Sequence, residues 1–142
     1  MLLLKESRIK AIVYDLAPSN TVKIFDMIND LPFVENLGPV YSLDSMEEKM
    51  TDLEANLVFI NICYKTRSGK FSIDQVIERI KSLNPESIII LCKSHIGPLL
   101  RQLYLHQGFD YVVDKVNDFD KIPLILKEIF MLKESEQVAM VA

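Results

Sequence analysis

The sequence predicts an α/β fold: a doubly wound, five-stranded parallel sheet in the order 2-1-3-4-5, flanked by five helices. Three observations carry this expectation. Short apolar runs alternate with helix-period segments along almost the whole chain, as βαβ units require. The run Leu57 to Ile62 is apolar nearly throughout, the pattern of a strand covered on both faces. Five such alternations imply right-handed crossovers, which place helices on both sides of a parallel sheet. At 142 residues the chain reads as one domain, residues 8–132, with 133–142 a loose C-terminal tail or a short helical extension.

Each element has its own signal. Ile9 to Tyr14 is rich in β-branched residues and reads as a buried strand. Pro18 suits the first turn of a helix to about Asn29, with Val22, Phe25 and Ile28 as its inner stripe. Leu31-Pro32 ends it, and a short strand is predicted around Pro39 to Ser42. Asp44-Ser45-Met46-Glu47 is a capping-box variant opening the second helix. After the third strand comes a polar loop, Tyr64 to Phe71, and Ser72 is placed to cap a helix whose stripe is Ile73, Val76, Ile77 and Ile80. Asn84-Pro85 breaks that helix. Ile88 to Cys92 is the fourth strand, and Leu99 to Gln107 the fourth helix, ended by Gly108. Tyr111 to Val113 is the fifth strand, and Asp120 is expected to cap a last helix with Pro123 in its first turn and Ile122, Ile125, Leu126, Ile129 and Phe130 inward.

Composition narrows the function classes. Sixteen basic residues against twenty acidic give a formal charge of −4, and no Lys/Arg run offers a nucleic-acid footprint. No stretch approaches the ~20 apolar residues of a membrane span, and Met1 to Lys5 is too short for a signal-peptide core. Two cysteines, Cys63 and Cys92, do not make a disulfide framework, so the expected compartment is the cytoplasm. Arg67-Ser68-Gly69-Lys70 lacks the first glycine of a phosphate loop and has Phe71 where Ser or Thr is needed. His95 and His106 have no companion ligands at metal-binding spacing.

In a sheet of this order chemistry belongs at the carboxyl ends of the central strands, here Asp15, Asn61, Cys92 and Lys115. Gly108 to Lys115, followed by Asp118-Phe119-Asp120-Lys121, and Ser68-Gly69 seven and eight residues beyond Asn61, complete a pattern. Over residues 8 to 132 the chain resembles the response-regulator receiver domain, a CheY-like, flavodoxin-like family. The resemblance implies that Asn61 stands where that family carries its phosphoacceptor aspartate. It implies that Tyr14 replaces one of two adjacent acids that help to hold Mg²⁺, leaving Asp15. Cys92 then stands for the Thr or Ser that senses the phosphoryl group, Lys115 for the family's lysine, and Val112 for the switch aromatic.

An amide cannot replace the nucleophilic carboxylate, and Mg²⁺ relies on carboxylate and phosphate oxygens. The sequence therefore reads as a pseudo-receiver: a non-enzymatic signalling module without a cofactor, whose Tyr14, Asp15, Asn61, Cys92 and Lys115 form a degenerate phosphoacceptor pocket. Asp15 is at most a residual weak Mg²⁺ ligand, or an ion-pair partner of Lys115. In the family, the face built from the fourth helix, fifth strand and fifth helix commonly passes the signal on. Here Leu99, Leu100, Leu103 and Tyr104 would form the inner stripe, and Leu105, Leu124 and Met131 exceed the buried stripes. Leu99, Tyr104, Leu105, Val112 and Leu124 are the expected partner interface, for a second copy or for another signalling protein such as a histidine kinase or an output protein. Neither nucleic acid nor membrane is an expected partner. Competing readings are a working receiver with atypical phosphorylation, a small-molecule-binding or enzymatic flavodoxin-like domain, and a redox sensor pairing Cys63 with Cys92. A transcription factor is not expected, since no output domain is read in these residues.

Overall fold

A computed structural model describes residues 8–15, 21–62 and 73–141, with side chains as far as 136. The chain runs β1 (Ile9–Asp15), α1 (Thr21–Asn29), β2 (Val34–Val40), α2 (Leu43–Asp52), β3 (Leu57–Asn61) and α3 (Ile73–Leu83). It continues through β4 (Ile88–Lys93), α4 (Pro98–Gln107), β5 (Tyr111–Asp114), a 3-10 turn (Phe119–Lys121) and α5 (Ile122–Val141). The five strands are parallel in the order β2-β1-β3-β4-β5, as the alternation of patterns predicts.

Alternation along the strands splits the core in two. Ile12, Tyr14, Val58, Ile60, Ile89, Leu91 and Val112 face α2 and α3, meeting Met46, Met50, Val76, Ile77 and Ile80. Ala11, Val13, Phe59, Ile90, Cys92 and Val113 face α1 and α5, meeting Ile24, Ile28, Ile122, Leu126 and Ile129. All five residues of β3 are buried, which is why that strand carries no polar alternation. Among the described residues, no helix is long and apolar enough to cross a membrane.

Several local expectations change. In α1 the inward residues are Thr21, Ile24 and Ile28, while Val22 is exposed, so the stripe is shifted from the predicted one. β2 begins at Val34, earlier than expected, because a bulge lets its Asn36-to-Pro39 stretch stay in the sheet. Gly38 sits there at φ 90°, and its N–H is taken by Asn36 Oδ1 at 2.8 Å. The cap of α2 is Ser42, whose Oγ accepts from the Ser45 N–H at 3.1 Å; Asp44 lies inside the first turn instead.

In α4 the predicted inner stripe fails in part: Leu99 and Leu103 point to solvent, and only Leu100 and Tyr104 lean on the core. Gly108 ends this helix at φ 124°, where a Cβ would approach Ile77 Cγ2 to 3.2 Å. A 3-10 turn precedes α5, so Asp120 does not cap it, whereas Pro123 does lie in its first turn. Residues 133 to 141 continue α5 as helix rather than forming a loose tail. Pro18, Cys63, the loop Tyr64 to Phe71 and Ser72 lie outside the described residues.

Candidate functional site

Strand register brings three of the predicted site residues together. Asp15 pairs with Asn61, and Asn61 with Cys92, across β1, β3 and β4 at their carboxyl ends. Each shares parity with its α1-facing neighbours Val13, Phe59 and Ile90, so the three side chains stand on one face of the sheet. Asp15 and Asn61 are buried polar groups at the rim of an otherwise apolar layer.

Such groups need hydrogen-bond partners. Asn61 Nδ2 donates to Asp15 Oδ1 at 3.3 Å and reaches Thr21 Oγ1 at 3.5 Å. The Thr21 hydroxyl donates to Asp15 Oδ2. Thr21, the first residue of α1, thus closes a buried cluster of three side chains. Sequence reasoning missed it: with Pro18 placed in the first turn, Thr21 reads as one more helical residue, and its approach to Asp15 depends on tertiary packing. The positive N-terminal end of α1 also lies beside the Asp15 carboxylate, a favourable pairing.

Cys92 is fully buried next to Asn61, and burial pushes its thiol up to about 12, with the nearby Lys115 charge opposing part of that rise. It is therefore a neutral thiol at physiological pH. Lys115 lies just past β5, its N–H bonded to the Lys93 carbonyl at 3.0 Å. Tyr14 is placed differently from the expected pocket. The strand alternation sends it to the opposite face, into the cluster with Ile12, Ile60 and Val40, where burial raises its phenol. Cys63 lies outside the described residues.

A second buried carboxylate, Asp114, was not singled out from sequence. It ends β5 and accepts from the His95, Ile96 and Val116 N–H groups at 3.3, 3.1 and 2.9 Å, and from Asn117 Nδ2 at 3.3 Å. Burial alone would raise its pKa, but these four bonds to the charged form outweigh it and hold the carboxyl below its ordinary range.

The expected partner face forms a groove of about 650 Å³ between α4, β5 and α5. Leu105 and Leu124 line it with Arg101, Tyr111, Lys121 and Glu128, over the backbone of Val112 and Val113. Leu124 is 66% exposed and Leu105 42%. Leu99 is 72% exposed yet does not line the groove. The Val112 side chain is buried on the other face, so it contributes shape from below rather than surface. Tyr104 is turned inward: its ring meets Phe109 edge-on at 5.9 Å, and Lys93 Nζ donates to its hydroxyl at 3.1 Å. Arg101 crosses the open side of β5, donating to the Val112 carbonyl and pairing with Asp118 at 2.5 Å.

Solved structures share this architecture. The isolated REC domain of RcsB from Salmonella enterica serovar Typhimurium, determined with the phosphomimetic BeF3−, has a TM-score of 0.69 at 17% identity, over 84% of this chain and 86% of that one. The response regulator domain of Thermotoga maritima CheB has a TM-score of 0.66 at 15% identity, over 90% and 97% of the two chains. A signal receiver domain from Vibrio parahaemolyticus reaches 0.72 at 12% identity, over 93% and 97%. These likenesses establish the fold of a response-regulator receiver domain. No protein-family model matches the chain. A 50-residue stretch, 35% of this chain, is 34% identical to the tRNA threonylcarbamoyladenosine dehydratase of Haemophilus influenzae, but it spans only 19% of that protein.

Proposed function

We propose that the chain is a receiver-like protein of two-component signal transduction that works without phosphorylation at Asn61, by binding other proteins. The observation that carries this reading is the Asn61–Asp15–Thr21 cluster. At the end of the central strand, where the fold places its chemistry, a neutral amide donates to the neighbouring carboxylate at 3.3 Å. An amide supplies no nucleophilic oxygen for phosphoryl transfer. The cluster does not fit Mg²⁺ either. Its described side chains offer one carboxylate, already bonded by a hydroxyl and an amide N–H, whereas that cation favours several oxygens in octahedral array.

The module is then non-enzymatic and needs no cofactor. Its partners are signalling proteins, a histidine kinase or an output protein among them, or a second copy, met through the groove carrying Leu105 and Leu124. The formal charge of −4 argues against a nucleic-acid partner, and the sparse cysteines favour the cytoplasm.

The test is a two-dimensional amide NMR titration with Mg²⁺ and beryllofluoride, on wild type and on Asn61→Asp. Resonances of Asp15, Asn61 and Lys115 should stay put in wild type and respond in the variant. A saturable wild-type response at these strand ends would favour a working receiver with atypical chemistry and overturn the proposal.

A further inference from the structure

We infer that Asp114 is a positioning residue whose carboxylate latches the segment entering α4 to the end of β5, fixing α4 and its exposed leucines in one orientation. Its four donors fall in two groups. The His95 and Ile96 N–H groups belong to the segment leading from β4 into α4. Val116 N–H and Asn117 Nδ2 belong to the turn after β5. One buried carboxylate thus joins two loops that are distant in sequence and adjacent at the sheet's rim.

The helix beyond this latch has little else to hold it. No residue of α4 is buried, and its N-cap, Gly97, offers no side-chain bond. Leu100 and Tyr104 lean on the core only partly, and Ile96 is the apolar anchor just upstream. His95 sits at φ 59°, a left-handed conformation that is unfavourable for a non-glycine residue and persists where surroundings enforce it. The Asp114 bonds to His95 and Ile96 supply that enforcement. Arg101 adds a second tie farther along the helix, through the Val112 carbonyl and Asp118.

The consequence is an α4 that does not change position when the Asn61 end of the sheet is altered, so that Leu99, Leu103 and Leu105 are presented constantly to any partner. This concerns the loop and the helix alone. The Asp114 bonds involve none of Asp15, Thr21 and Asn61, so the latch does not depend on phosphorylation at that strand end.

Native-state amide exchange and relaxation dispersion test it on the full chain. In wild type, His95 and Ile96 amides should be protected by ~100-fold or more over free peptide, and α4 should show flat dispersion profiles. Asp114→Asn keeps the shape but turns an N–H donor toward other donors. It should speed exchange at His95, Ile96 and the α4 amides by about tenfold or more, leaving β1 and β3 amides unchanged. Unprotected His95 and Ile96 amides, or millisecond exchange along α4, in the wild-type protein would overturn the latch without recourse to a variant. So would an Asp114→Asn protein whose amides all exchange faster alike, or none of them.

Discussion

Asn61 and Asp15 are register partners on β3 and β1, and the Asn61 amide nitrogen donates to Asp15 Oδ1 at 3.3 Å. The relationship inverts what an aspartate at that place would do. A second carboxylate would set two like charges side by side and call for a cation; the amide instead offers a donor to the charge already there. With Thr21 on the other oxygen, each carboxylate oxygen of Asp15 receives a donor within an apolar layer.

Replacing that donor should therefore cost stability even though the change is nearly isosteric. Asn61→Asp is expected to lose about 1–3 kcal/mol at pH 7, from the lost bond and the new repulsion. The pair would hold one proton more tightly than an ordinary carboxylate, so the loss should shrink as pH falls toward 5. Urea unfolding at both pH values reads the difference. Equal stability of the two proteins at pH 7 would mean that Asn61 does not serve the Asp15 charge.

Thr21→Val removes the hydroxyl while keeping the shape, and leaves Asp15 a donor short. A loss of about 1–3 kcal/mol is expected, with Thr21→Ser largely restoring it. In a double-mutant cycle with Asp15→Asn the two effects should not add, because both variants disturb one bond. Strict additivity would place the hydroxyl elsewhere.

How legible these groups were follows from where their information resides. The apolar run of β3 and the β-branched runs around it revealed the sheet, since complete burial of Leu57 to Asn61 needs helices on both faces. Asp15, Asn61 and Cys92 were legible because each closes such a run. Tyr14 was drawn into the group by its adjacency to Asp15, although alternation along a strand sends neighbours to opposite faces. Thr21 and Asp114 act through contacts across the fold, and no spacing in the sequence announces those. The α4 stripe misled because that helix leans on the core over a narrow arc, Leu100 and Tyr104, leaving leucines of both flanks outside.

That geometry redirects the mutagenesis of the partner face. Tyr104 is a packing residue, and a charge there would disturb the contact with Phe109 rather than report on binding. Leu105→Glu with Leu124→Glu changes exposed groove residues and should alter stability by only about 0.5 kcal/mol each. If the groove joins two copies, sedimentation should show a concentration-dependent dimer in wild type and a monomer in the double variant. A wild-type protein monomeric at high concentration would exclude the pairing.

Cys92 should be unreactive in the folded protein. Its thiol is buried and pushed up to about 12, so the nucleophilic thiolate is scarce near neutrality. Alkylation followed by peptide mass spectrometry, at pH 8, should label Cys92 only as fast as the protein opens, and rapidly in denaturant. Prompt native labelling of that peptide would revive a redox role for the strand end.

Acid should weaken the fold through carboxylates it now holds charged. Burial works against ionisation at both Asp114 and Asp118. The bonds to Asp114 outweigh it, as do the Arg101 and Lys121 bonds to Asp118, leaving both below the ordinary range. A depressed folded-state value means stability that is fully present above the unfolded value, about 3.9, and lost as pH falls through the folded one. Asp114→Asn removes one such group. The stability gap between it and wild type should be widest near neutrality and close progressively below about pH 4. Urea midpoints measured from pH 6 downward follow that closure. A gap that stays constant on acidification would show that the shape of the residue, not its charge, holds the two loops together.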